Sequence, residues 1–280
     1  MPPRWSPGSP WWAFLIPGAL GFVWLPVWLI LYRLPHKHPW ITPEERDYIR
    51  EENLKKDQAV KQQLRWIQLF RFRQTWGLLL AKFISDPVWW FYLFWLPKYL
   101  SEQRGFTIAQ IGMLAWLPYL FADLGSVAGG FASGYLIKRN WPVMKARAAV
   151  MLPLAMVMPA SPAIAYTPSS AGALAVICLV IACHMGWKTN LMTLTNDVYP
   201  TRIVGSVAGI IAFGSGLGGT LFTNLTGRVV EHFSYNAIFV IMGFLHPIAY
   251  IIFRLLVKGP LADEQVPAPA AASEAQTPKG

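Results

Sequence analysis

Seven stretches of this chain are too long and too apolar to be the interior of a water-soluble domain. They cover about residues 11–33, 78–100, 108–137, 148–166, 171–196, 203–227 and 235–257. Each approaches or exceeds the roughly 20 residues that a helix needs to cross about 30 Å of hydrocarbon. Lipid offers no partner to an open backbone N–H or C=O, so these runs predict helices. Composition agrees: 54% of the 280 residues are hydrophobic and only 14% charged, where soluble domains carry roughly 25%. The expected fold class is all-α, a polytopic membrane helix bundle of seven spans in a lipid bilayer. Arg4 ahead of the first run resembles a signal peptide, but that run far exceeds the usual h-region and no A-x-A site follows it.

The formal charge of +10 raises nucleic acid as a partner. The Lys and Arg residues lie between the apolar runs and form no compact basic face, so no nucleic-acid partner is expected. Their distribution instead predicts orientation. Segment 34–77 is strongly basic, the next loop holds only Lys98 and Arg104, the following one is basic again, and "TPSSAG" has no cation. The N-terminus is expected outside and the C-terminus in the cytoplasm. Cys178 and Cys183 share one apolar run and predict buried thiols, not a disulfide framework.

The chain divides into a stub (1–10), a first span (11–33), a cytoplasmic loop (34–77), six further spans (78–257) and a tail (258–280). In the loop, Thr42, Pro43 and Glu45 predict the start of a helix over about 43–56. "LRWIQLFRF" (64–72) mixes basic and bulky apolar residues and predicts an interfacial segment. The Pro- and Ala-rich tail predicts disorder. Small residues recur at four-residue spacing: Gly125 and Gly129, Gly130 and Gly134, Gly205 and Gly209, Gly214 and Gly218. That spacing lets helix backbones approach closely and marks a bundle, whatever its solute.

Charges at depth carry the functional signal. Lys82 lies near the start of the second span, where its long stem is expected to return the ammonium to the interface. Asp86 is too short to do so, and Pro87 disfavours helical geometry at the residue before it, so an unwound turn is expected there. Asp123 and Lys188 lie mid-run in two other spans. His184 precedes Lys188 by one turn on the same face, and Asn190 and Thr193 add neutral donors and acceptors. Ionisable groups at this depth mark a polar cavity on a solute path; a structural Asp–Lys pair is the alternative. Lys188 suits an anion such as a carboxylate. The polar side chains suit sugar hydroxyls, and Trp89, Trp90, Tyr92 and Trp95 offer flat faces to a sugar ring, or else form packing or a membrane belt.

The motifs "YRLPHKHPWITPEERDYI" (32–49), "DPVWWFYLFWLPKYL" (86–100), "FADLGSVAGGFASGYLIKR" (121–139), "HMGWKTNLMTLTNDVYP" (184–200) and "VGSVAGIIAFGSGLGG" (204–219) resemble, in this order, hexuronate transporters of the anion:cation symporter family within the major facilitator superfamily. The resemblance implies that the chain is the sixth helix plus the C-terminal six-helix half of a twelve-helix transporter. It implies uptake of a small anionic sugar, glucuronate or galacturonate, across the bacterial inner membrane, by alternating access between two halves. No cofactor is implied; the coupling ion, a proton in most relatives, is expected to act through acids in the missing N-terminal half. Mapped onto this chain, the substrate-side residues are Lys188, Asn190 and Thr193, then Asp86, Asp123, Trp90 and His184. Lys138 and Arg139 with Asp197 and Arg202 resemble a cytoplasmic charge lock, although "GYLIKRN" lacks the acid that usually precedes its bases. The chain is expected to be a truncated reading frame or a fragment, inactive alone. The alternative is a non-transporting binding or regulatory module acting as a homo-oligomer. An enzyme is disfavoured: there is no H-E-x-x-H, no G-x-S-x-G and no phosphate-cradling glycine loop.

Overall fold

The computed structural model describes residues 11–34, 37–60 and 66–261. The stub, and the tail beyond 261, lie outside these. Among the described residues every regular element is helical, and six helices are long and apolar enough to cross a membrane.

The chain forms two compact units, residues 1–59 and 60–280. In the first, α1 (Trp12–Leu31) is apolar on every face, as a helix surrounded by lipid must be. α2 (Pro43–Val60) begins as its sequence predicts. Glu45 N–H donates to Thr42 Oγ1 at 3.2 Å, and Glu44 and Glu45 in the first turn complement the positive helix end. It runs four residues beyond the expected end.

The second unit holds α3 (Trp66–Leu69), α4 (Arg73–Ser85), α5 (Pro87–Arg104), α6 (Ile108–Leu114), α7 (Leu117–Lys138), α8 (Val143–Val157), α9 (Ala163–Tyr166), α10 (Ser170–Val198), α11 (Thr201–His232) and α12 (Tyr235–Leu256). Three of the expected spans are composite. α6 and α7 are offset just before Pro118, and a 3₁₀ turn, Met158–Ala160, lies between α8 and α9 in a stretch containing Pro159 and Pro162. The span expected at 78–100 is α4 followed by α5. It is one of the seven but not one of the six, because Lys82 and Asp86 lie within it and lower its apolar character.

The expected unwound turn at Asp86 is not found. Asp86 keeps right-handed helical angles (φ −67°, ψ −25°). Its N–H donates to Lys82 O at 3.0 Å, and its carbonyl accepts from Trp89 at 2.9 Å and Trp90 at 3.3 Å. Pro87 occupies the first position of α5, where its missing N–H costs least. The carbonyl that Pro87 leaves without its helical donor is that of Phe83, and the backbone of Gly218 lies directly against it; a methyl group there would collide with the oxygen.

Two of the four small-residue pairs make close seams. Gly125 and Gly129 of α7 pack on the backbone of Ala182 and Gly186 of α10, and Gly214 and Gly218 of α11 pack on Leu79 and Phe83 of α4. Gly134, Gly205 and Gly209 have open space where a side chain would be, and Gly130 meets only the Thr189 methyl group at ordinary contact. The buried apolar side chains form two cores along the helices. One contains Leu78, Ala81, Trp187, Ile211 and Ala249. The other contains Val88, Phe91, Cys183, Phe222 and Met242. Between these two sets, on the same helices, stand Lys82, Asp86, His184, Ser215 and His246.

A methyl group on Gly129 would lie 2.6 Å from Gly186 Cα, so α7 and α10 would have to separate. Overpacking of this kind costs about 1–3 kcal/mol. Gly129→Ala is expected to lower the thermal unfolding midpoint in detergent by several degrees, and Gly134→Ala to leave it unchanged.

Candidate functional site

The layer between the cores is built around an ion pair. Lys82 Nζ lies 2.9 Å from Asp86 Oδ2 on the next helical turn, and the two side chains are only 4% and 2% exposed. Lys82 therefore turns inward and does not return to the interface, because its partner is one turn away inside the bundle. Ser215 of α11 donates to the same oxygen. Asp86 Oδ1 is buried without a hydrogen-bond partner among the described residues. Removing a carboxylate and an ammonium from water costs several kcal/mol each, which their attraction offsets only when the geometry is good.

Against this pair lie two imidazoles. His184 Nδ1 and His246 Nε2 are 3.0 Å apart, both rings are buried, and they meet at 82°. Trp187 packs edge-on against His246. Trp89 of α5 stacks on His184 at 6.4 Å and 6°. Lys188 Nζ sits 5.4 Å over the same indole, a favourable place for a cation. Tyr119 of α7 meets Trp89 from another side at 6.0 Å. His184 and Lys188 thus share a face, as their spacing predicts.

The remaining expected site residues are distributed differently. Asn190 is fully buried in the α7–α10 seam, where its amide donates to Gly129 O at 3.0 Å and Gly186 O at 2.9 Å. Two residues along a helix is a rotation of about 200°, so Asn190 stands opposite Lys188. The Thr193 hydroxyl donates to Thr189 O at 2.8 Å on its own helix. Asp123 is exposed on α7, one turn past Tyr119, and forms no ion pair among the described residues. Tyr92 is buried in the second core, and Lys98 lies over Trp95. Among the described residues, the three groups expected to wall one pocket, Asp86, Asp123 and Lys188, do not meet. Asp86 is closed off with Lys82, Lys188 is partly buried on Trp89, and Asp123 faces outward.

Trp90 points toward α11, where its indole covers Gly219 and stacks on Phe94 at 5.8 Å. An open cavity of about 370 Å³ lies here, bounded by Trp90, Phe94, Gly216, Thr220, Thr223 and Asn224. Aromatic faces and hydroxyls around one hollow can hold a ring that is apolar on its faces and polar at its edge.

At the α7 end that carries Lys138 and Arg139, Asp197 does not pair with either. Arg147 of α8 takes it, Nε to Oδ2 at 3.0 Å, and donates from Nη1 to Ser133 Oγ at 2.8 Å. Arg147 is inside the packed helices, whereas Lys138 and Arg139 are exposed at the end of α7 and Arg139 folds back on Tyr135. Arg202 stands partly buried in the first turn of α11. Burial pushes the Tyr199 phenol up to about 12, so it stays protonated and keeps its 2.9 Å hydrogen bond with Thr75 of α4.

Sequence reasoning passed over His246, Ser215 and Arg147. His246 was detectable by the criterion that found His184, a lone titratable group in an apolar run. Ser215 sits inside "GSGLGG" and reads there as a packing residue.

These features define a class: a multi-pass membrane protein with a buried Lys82–Asp86 ion pair at mid-depth among its helices. The chain belongs to the Major Facilitator Superfamily, whose family model matches residues 6–223. It is 30% identical over 252 residues to the hexuronate transporter of Escherichia coli strain K12, covering 89% of this chain and 58% of the relative. It is 40% identical over 121 residues to the galacturonate transporter of Dickeya chrysanthemi, covering 42% of this chain and 35% of that one. It is 24% identical over 257 residues to the D-galactonate transporter of Escherichia coli O6:H1, covering 88% and 59%. The chain spans about three-fifths or less of the length of these relatives.

Removing one member of the buried pair strands the other, which costs about 3–5 kcal/mol. Asp86→Asn and Lys82→Met are each expected to destabilise the purified protein strongly. The double variant is expected to be more stable than either single one, as measured by a double-mutant cycle of thermal unfolding.

Proposed function

We propose that this chain is the substrate-carrying C-terminal part of a secondary transporter for sugar acids of the hexuronate class. It would work by cation-coupled symport and alternating access in a bacterial inner membrane, with its N-terminus outside and its C-terminus in the cytoplasm. The observation that carries this reading is the Lys188 ammonium, partly buried at mid-helix over the Trp89 ring, with no carboxylate of the described residues at ion-pair distance. A cation left unneutralised at that depth suits the carboxylate of an incoming solute. Trp90 and the hydroxyls of the neighbouring hollow suit the sugar ring. The relatives support the solute class: they are named for hexuronate, galacturonate and galactonate in the three cases above.

The reading assigns Asn190 to helix packing and Thr193 to no direct contact. Asp123 becomes a candidate contact for solute hydroxyls or for further helices. Its exposure beside Tyr119 is costly against lipid, about 2.5–3.5 kcal/mol on insertion scales, and is relieved if that face meets the N-terminal helices of a complete transporter.

The test is uptake of radiolabelled galacturonate by cells that lack their own hexuronate uptake. The chain alone is expected to give background counts. Co-expression with the N-terminal helices of a full-length relative is expected to restore uptake. Lys188→Met in that pair is expected to reduce uptake at least 30-fold, since truncating one partner of a desolvated charge pair costs about 2–5 kcal/mol. Undiminished uptake by Lys188→Met would remove the carboxylate from Lys188. Robust uptake by the chain alone would refute its dependence on further helices.

A further inference from the structure

The His184–His246 contact has a chemistry that the sugar-acid reading does not use. A hydrogen bond between two neutral imidazoles employs one N–H and one lone pair. Two outer nitrogens remain, His184 Nε2 and His246 Nδ1, one keeping an N–H and the other a lone pair. Both are buried, and neither has a hydrogen-bond partner among the described residues. Unpaired buried polar atoms cost about 1–3 kcal/mol each. Two apolar side chains would fill this place without that cost, so the pair calls for another explanation.

The charges around it are few. Burial itself is the largest influence on both rings and opposes a charge there; after it, Lys82 and Lys188 act on His184, and Asp86 acts on His246. From α11 the neighbouring polar group is Ser215, already bonded to Asp86. α7 brings Tyr119 to Trp89, with Asp123 one turn further on. α5 brings Trp89 itself. One carboxylate therefore favours an added proton on the pair, and two ammonium groups oppose it.

We propose that His184 and His246 form a proton-binding site within this chain, loaded when an anion neutralises Lys188. The proposal rests on the assignment of the solute carboxylate to Lys188. The incoming proton adds to the one free lone pair of the outer nitrogens and forms an N–H bond. No other bond changes, no electrons are exchanged, and the pair becomes singly charged. Seating a carboxylate at Lys188 removes one of the two repulsions. By reciprocity, a proton on the pair strengthens anion binding by the same factor. A proton entering at one outer nitrogen and leaving from the other reverses the central hydrogen bond, so the pair can pass a proton as well as hold it. Solute and co-transported ion would then meet on one helix, α10, at positions 184 and 188.

The experiment follows the imidazole ¹⁵N resonances of the full chain, assembled in lipid nanodiscs with the N-terminal helices of a full-length relative, as pH is varied, with assignment from single-histidine variants. Lys188→Met is expected to let the pair gain its proton about one pH unit higher than in the wild type, the size of effect that one neighbouring charge exerts. Lys188→Arg keeps the charge and is expected to titrate as the wild type does. Asp86→Asn is expected to move the midpoint the other way. Galacturonate should shift the wild type as Lys188→Met does, and should not shift Lys188→Met further. A midpoint that moves neither in Lys188→Met nor in Asp86→Asn overturns the proton site. A midpoint that moves in the variants but not with galacturonate keeps the proton site and overturns the assignment of the carboxylate to Lys188.

Discussion

The enclosure of one ion pair organises this bundle. Lys82 and Asp86 sit between two apolar cores, on a helix that must cross hydrocarbon. Neither charge is tolerable there without the other, and the pair is tolerable only if protein surrounds it. Pro87 fixes where α4 gives way to α5, one residue after the carboxylate. Gly218 lets α11 come close enough to cover the carbonyl that Pro87 leaves bare, which brings Ser215 within reach of Asp86. α10 and α12 close the remaining sides with His184 and His246. The polar layer and the close helix seams are parts of one arrangement, because small residues admit the approach that buries the charges.

α10 divides its labour by angle. One face carries Gly186 and Asn190 and is committed to the seam with α7. Another carries His184 and Lys188 and meets the Trp89 indole. A helix rotates by about 100° per residue, so neighbours in sequence serve different purposes, packing in one case and charge in the other. The same holds for Trp89 and Trp90: the first faces His184, and the second covers Gly219 beside the hollow next to α11. An aromatic pair that reads as one feature in the sequence therefore serves two separate places.

Much of the architecture was legible in advance, and for identifiable reasons. Apolar runs of span length, and Thr42 ahead of Pro43 and Glu45, are local signals whose physics does not depend on distant partners. The facing of His184 with Lys188 followed from their spacing. What could not be read was which partner each charge chooses. Lys82 looked able to return to the interface; only the inward turn of the helix shows that Asp86 holds it. Asp197 looked destined for Lys138 or Arg139, yet Arg147 reaches it first because α8 packs against both α7 and α10. Pro87 looked like a breaker, but at the first position of a new helix it costs little and Asp86 stays helical. Partner choice is tertiary, and periodicity does not encode it.

The central claim is that the mid-depth groups divide into a sealed set, Lys82, Asp86 and Ser215, and an accessible set, Lys188, Tyr119 and Asp123, which we propose is wetted in the complete transporter. Single cysteines at positions 123 and 215, in a background with Cys178→Ser and Cys183→Ser, test this by reaction with a charged, membrane-impermeant thiol reagent in membranes that also hold the N-terminal helices of a relative. Such a reagent needs a hydrated, ionised thiol. The account predicts that Asp123→Cys is labelled, that galacturonate slows the labelling, and that Ser215→Cys is not labelled. An unreactive cysteine at 123 beside a reactive one at 215 would contradict it.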